Sequence, residues 1–72
     1  RDINVHKDVI NKIYLFAKQL GFAVCGLDFS PIKGPEGNIE YLIYLKRQGT
    51  DANIDIDYTV LQSHKVLNGG ED

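Results

Sequence analysis

Between Pro31 and Gly37 the chain carries two prolines and two glycines, followed by Asn38 and the run Ile39-Glu40-Tyr41-Leu42-Ile43-Tyr44-Leu45. No other stretch limits the fold as strongly. Proline fixes φ, glycine opens backbone regions closed to other residues and Asn38 tolerates the left-handed region, so this loop is expected to hold one shape. The β-branched and aromatic residues after it read as a strand over Ile39–Lys46. Glu40 is a lone carboxylate among the apolar side chains of that run. Facing the interior, its charge would need a partner; at an exposed sheet end it would be unremarkable. The local pattern leaves both open, and Glu40 is the leading candidate for a functional residue.

Upstream the period is helical. Val5, Val9, Ile13, Phe16 and Leu20 recur at spacings of four, four, three and four, Ile10 and Ala17 widen the stripe, and polar residues fill the other side. The spacing predicts a helix over Val5–Leu20 with Asn4 as its cap, closed by Gly21, with Lys18 in the last turn. A strand over Phe22–Phe29 follows. Both predicted strands are apolar on both faces, the pattern of an α/β sheet covered by helices on each side. One helix cannot give that cover, so either the chain pairs with itself or the missing layers lie in other sequence. After a polar connector over 48–53, residues 53–61 alternate like a third strand. Asp55 or Asp57 could instead cap a helix carrying Ile56, Val60, Ser63 and Leu67 on one side; that helix, Asp55–Leu67 ending at Gly69-Gly70, is the favoured reading, with Asn68–Asp72 frayed.

Length now sets a limit. Seventy-two residues make at most one small domain, and the absence of methionine suggests a piece of something longer. The net charge of −2 does not advertise a nucleic-acid surface, although Lys33, Lys46 and Arg47 could form a local patch. Cys25 has no second cysteine to pair with; its place in a strand suggests a buried small hydrophobe and fits a reducing, cytoplasmic setting. No apolar run approaches the ~18 residues of a membrane span.

The remaining candidates have plainer readings. Lys33-Gly34-Pro35-Glu36-Gly37 could offer amides to a phosphate, yet it is no Walker loop and reads better as a shaped hairpin loop. His6 and His64 lie far apart without a second ligand at metal spacing, so solvated or capping histidines are expected and no metal site. Tyr41 and Tyr44 fall on opposite strand faces and do not make a stacking platform.

The succession Arg1-Asp2, His6, Gly21-Phe22, Gly26-Leu27, the block from Ser30 to Asn38 and Glu40-Tyr41-Leu42 resembles the C-terminal end of the TlyA family, proteins named hemolysins and related to FtsJ-type RNA methyltransferases. The likeness covers residues 1–47 and does not extend to the tail after Gln48. It implies an S-adenosylmethionine-dependent ribosomal RNA 2′-O-methyltransferase. It also implies that residues 1–47 are the final helix and antiparallel strand pair of a Rossmann-like sheet, with 48–72 a connector and a C-terminal helix or tail. In that family a Lys-Asp-Lys-Glu set is catalytic, and its glutamate falls on Glu40. The lysines, the aspartate and the cofactor loop would lie upstream of Arg1, so the chain alone is expected neither to bind S-adenosylmethionine nor to catalyse. Its partners would be ribosomal RNA, the rest of the parent chain or a second copy, and not a membrane. A small α/β interaction or oligomerisation module without catalysis is the alternative.

Overall fold

The structure is a computed structural model and describes residues 2–69. Its elements are α1 (Ile3–Gln19), β1 (Ala23–Phe29), a single 3₁₀ turn (Pro35–Gly37), β2 (Tyr41–Lys46) and α2 (Ile56–Asn68). The expected order of helix, strand, loop, strand is present, and residues 56–68 are helix, as favoured over a third strand.

Helix α1 starts earlier than the pattern predicts. Asp2, in extended conformation, accepts the Asn4 N–H at 2.8 Å, so Asp2 is the cap and Asn4 lies inside the helix. The two extra residues include Ile3, seven residues before the buried Ile10 and so on the same side. At the other end Gly21 takes φ +90°, its N–H donates to the Lys18 carbonyl at 3.0 Å and the Phe22 N–H to the Ala17 carbonyl at 3.0 Å. Those two bonds are the Schellman pair, which stops the helix and turns the chain directly into β1.

β1 and β2 run antiparallel, with Leu27 opposite Ile43, Phe29 opposite Tyr41 and a bulge at Cys25. Cys25, expected as a buried hydrophobe, is only half-buried there. Both helices pack on the face that carries Leu27, Tyr41 and Ile43. Ile10 and Ile13 of α1 border a small hollow with those three residues, and Ser63 of α2 bonds the Tyr41 hydroxyl. The opposite face, with Leu42 and Tyr44, stays open: they are 44% and 53% exposed.

One expectation reverses. Of the apolar stripe predicted for α1, only the widening members Ile10 and Ala17 are buried; its central members Val5, Val9, Ile13, Phe16 and Leu20 are between 49% and 60% exposed, Ile13 at the edge of the hollow. The two stripes lie roughly 100° apart around the helix axis. Helical spacing reports that a helix has apolar sides, not which side its own chain covers.

The connector closes part of the outer edge of β1. The Asp51 carboxylate accepts the Val24 N–H at 2.8 Å, the Ala52 N–H donates to the Val24 carbonyl at 2.8 Å, and Lys18 reaches over from α1 to pair with Asp51. The hydrogen bond from Lys18 and then that from Val24 hold the Asp51 carboxyl below the usual carboxylate range. Asp55 caps α2 by accepting the Tyr58 N–H at 3.0 Å, and Gly69, in the left-handed conformation, ends it. Of the end expected to fray, Asn68 is the last residue of α2 and Gly69 its cap; residues 70–72 lie outside the described residues.

Candidate functional site

The loop between the strands is tied at several levels. The Ser30 N–H donates to the Glu40 carbonyl at 2.8 Å, carrying the ladder one rung past Phe29 and Tyr41. Within the loop the Gly34 N–H donates to the Asn38 carbonyl at 2.7 Å, and the N–H groups of Gly37 and Asn38 donate to the carbonyls of Gly34 and Pro35, both at 3.2 Å. The one fixed shape expected from the prolines and glycines is therefore held by backbone bonds. The left-handed residues are Glu36 (φ +59°) and Gly37 (φ +75°); Asn38, the residue expected to tolerate that region, is extended at φ −71°. A left-handed pair centred on Glu36 and Gly37 brings the carbonyl of Asn38 back to Gly34, which an extended Glu36 would not.

Glu40 lies just outside β2 and is exposed, so the interior placement is not the one adopted. Among the described residues its carboxylate has no ion pair. Its side chain folds back against Gly34: a Cβ on Gly34 would stand 2.7 Å from Glu40 Cδ and 3.0 Å from Cγ. Lys33 sits in this loop, whereas Lys46 ends β2 and Arg47 follows it, roughly 17 Å of strand away, and the three make no common patch.

A second cluster joins three elements. His6 Nδ1 of α1 lies 2.8 Å from His64 Nε2 of α2 and 3.2 Å from the Tyr41 hydroxyl of β2, which is 2.6 Å from Ser63 Oγ. Ser63 Oγ lies 2.7 Å from the Val60 carbonyl, which can only accept. Proton directions follow. Ser63 donates to Val60 and so accepts from Tyr41, while the roles of His6 Nδ1 and His64 Nε2 are set by the two ring tautomers. His64 is 2% exposed and Ser63 fully buried, so the expectation of solvated or capping histidines is overturned. The signal was present in the helical phase: His6 precedes the buried Ile10 by four residues and His64 follows the buried Val60 by four. Among the described residues no three His, Cys, Asp or Glu side chains converge to hold a metal ion. Tyr41 faces the helices and Tyr44 the open side, where its ring lies over Gly26.

A shallow groove of about 580 Å³ runs between β1 and the start of α2, bordered by Asp28, Asp55, Tyr58 and Gln62. Its acidic side chains suit neither a phosphate nor a nucleic-acid backbone. No described helix is long and apolar enough to cross a membrane.

No family model matches the chain. Individual proteins do. A Bacillus subtilis (strain 168) protein named "Putative rRNA methyltransferase YqxC" is 45% identical over 73 residues, which takes in 93% of this chain and 26% of that protein. Among solved structures, "Putative hemolysin from Streptococcus thermophilus" is 39% identical with a TM-score of 0.85, covering 96% of this chain and 26% of that one. "The crystal structure of a putative hemolysin from Lactococcus lactis" is 43% identical with a TM-score of 0.80, covering 86% and 31%. The chain thus spans between a quarter and a third of the length of the proteins it matches.

Proposed function

We propose that this chain is the C-terminal portion of an S-adenosylmethionine-dependent ribosomal RNA 2′-O-methyltransferase of the TlyA and FtsJ-like kind, with Glu40 its catalytic residue. The observation that carries the reading is the 45% identity, over nearly the whole chain, to a protein named as an rRNA methyltransferase of which the chain spans only 26%. The uncovered stripe of α1 and the open face at Leu42 and Tyr44 support it, because a piece of a larger covered sheet would present such surfaces. On this reading residues 1–47 complete a Rossmann-like sheet, 48–72 follow as connector and terminal helix, and the protein works in the cytoplasm on ribosomal RNA.

The chemistry asks little of this portion beyond one carboxylate. A ribose 2′-hydroxyl is a poor nucleophile and needs a base held against it. Glu40 would orient a lysine supplied by the rest of the protein. The cofactor would be bound by other sequence, and the isolated chain would be inactive.

The test is Glu40→Gln in the complete protein. Methyl transfer to ribosomal RNA is expected to fall by on the order of 10²-fold with cofactor binding retained; equal activity of variant and wild type would remove Glu40 from the mechanism. The same uncovered apolar stripe favours a second reading, an interaction or oligomerisation module without catalysis. That reading gains if the complete protein transfers no methyl group and the chain forms a stable dimer.

A further inference from the structure

We infer that Gly34 is a positioning residue, whose missing side chain forms the seat that sets the direction of the Glu40 carboxylate. The inference rests on the reading of Glu40 as catalytic. Gly34 has φ −80° and ψ −162°, extended backbone open to any residue, so its conformation does not require glycine. Gly37 differs: its φ of +75° does require one, and a Cβ there would meet nothing within 4 Å. The atoms nearest the position a Cβ would take at Gly34 belong to the Glu40 side chain, with Cδ at 2.7 Å and Cγ at 3.0 Å.

Both partners of that contact are anchored by backbone. Gly34 is held through its N–H to Asn38 and its carbonyl from Gly37, and Glu40 through its carbonyl from Ser30. Pro35 adds a restraint, because the residue before a proline is confined to extended conformations. An exposed glutamate would otherwise sample many rotamers. Here its carboxylate end lies in the space beside Gly34 that a side chain there would fill, and the loop aims it without an ion pair among the described residues. The atoms in the way are the far end of a flexible side chain, so a methyl group at Gly34 would swing Glu40 aside and leave the fold intact.

The experiment compares Gly34→Ala, Glu40→Gln and the double variant in the complete protein, together with the NMR signal of the Glu40 side-chain carboxyl carbon and the nuclear Overhauser contact between Gly34 Hα and Glu40 Hγ. Expected are the contact in wild type, a shifted carboxyl signal in Gly34→Ala, and a melting temperature within about 2 °C of wild type. Methyl transfer should show a 10- to 100-fold lower kcat with KM for RNA nearly unchanged. In the Glu40→Gln background Gly34→Ala should cost nothing further, whereas a general distortion of the loop would add its own loss. An absent Gly34–Glu40 contact in wild type, or a Gly34→Ala protein with unchanged carboxyl signal and kcat, overturns the seat. Should Glu40→Gln itself retain full activity, the catalytic reading fails while the carboxyl signal still decides whether Gly34 orients the side chain.

Discussion

Two glycines of one loop answer to different forces, and substitution separates them. Alanine at Gly37 meets open space, so its cost is the left-handed backbone alone, about 1–2 kcal/mol. Part of that is offset by the smaller conformational freedom of the unfolded chain, which leaves a net loss of about 1 kcal/mol. Urea unfolding should therefore show Gly37→Ala with a lower midpoint and an unchanged slope; equal midpoints would mean that the left-handed turn at Glu36 and Gly37 is not kept in solution. Alanine at Gly34 carries no such backbone cost and acts on Glu40. Sequence alone shows that the loop needs its glycines. It does not show which is demanded by φ and which by a neighbour six residues on, because that contact exists only once the loop has closed.

At the scale of elements, polar side chains hold the helices to the sheet where apolar packing is thin. Each bond of the His6–Tyr41–Ser63–His64 network adds a net ~1 kcal/mol, while stripping one partner leaves buried groups unsatisfied at roughly 1–3 kcal/mol. On the other edge, Lys18 and Val24 converge on Asp51 and tie α1, β1 and the connector together. That contact has a pH dependence of known sign. The Asp51 carboxyl titrates lower in the folded chain than its ordinary value of 3.8, so its stabilisation is fully present above that value and is lost as pH falls through the depressed folded one. The stability difference between wild type and Asp51→Asn should be largest at neutral pH and shrink toward pH ~2, and added salt should reduce it. A difference independent of pH would assign the role of Asp51 to its hydrogen bond with Val24 and not to its charge. Element order, the closing Gly21 and the cap at Asp55 were legible because caps and periodicities are local signals. The inward side of both histidines was legible in the helical phase, but their pairing was not, because it joins residues 58 apart in sequence.

For the whole molecule the question is what covers Val5, Val9, Phe16 and Leu20. All four lie at 50% to 60% exposure along one side of α1, and a second apolar surface opens at Leu42 and Tyr44. Exposed apolar surfaces of this kind mark contacts with protein, membrane or ligand. Phe16 decides between the two functional readings because its cost of truncation depends on its surroundings. In the isolated chain it is 59% exposed, so Phe16→Ala should change stability by less than about 1 kcal/mol. If further sequence of the complete protein packs on this side of α1, the same substitution there removes a buried aromatic and should cost about 3–5 kcal/mol. Chemical unfolding of both proteins, each with and without the substitution, measures the contrast. A large cost only in the complete protein supports the place of this chain in a larger sheet. A small cost in both, with concentration-dependent association of the isolated chain that Phe16→Ala weakens, would instead make α1 the contact surface of an oligomerisation module, and Glu40 would be an ordinary loop residue.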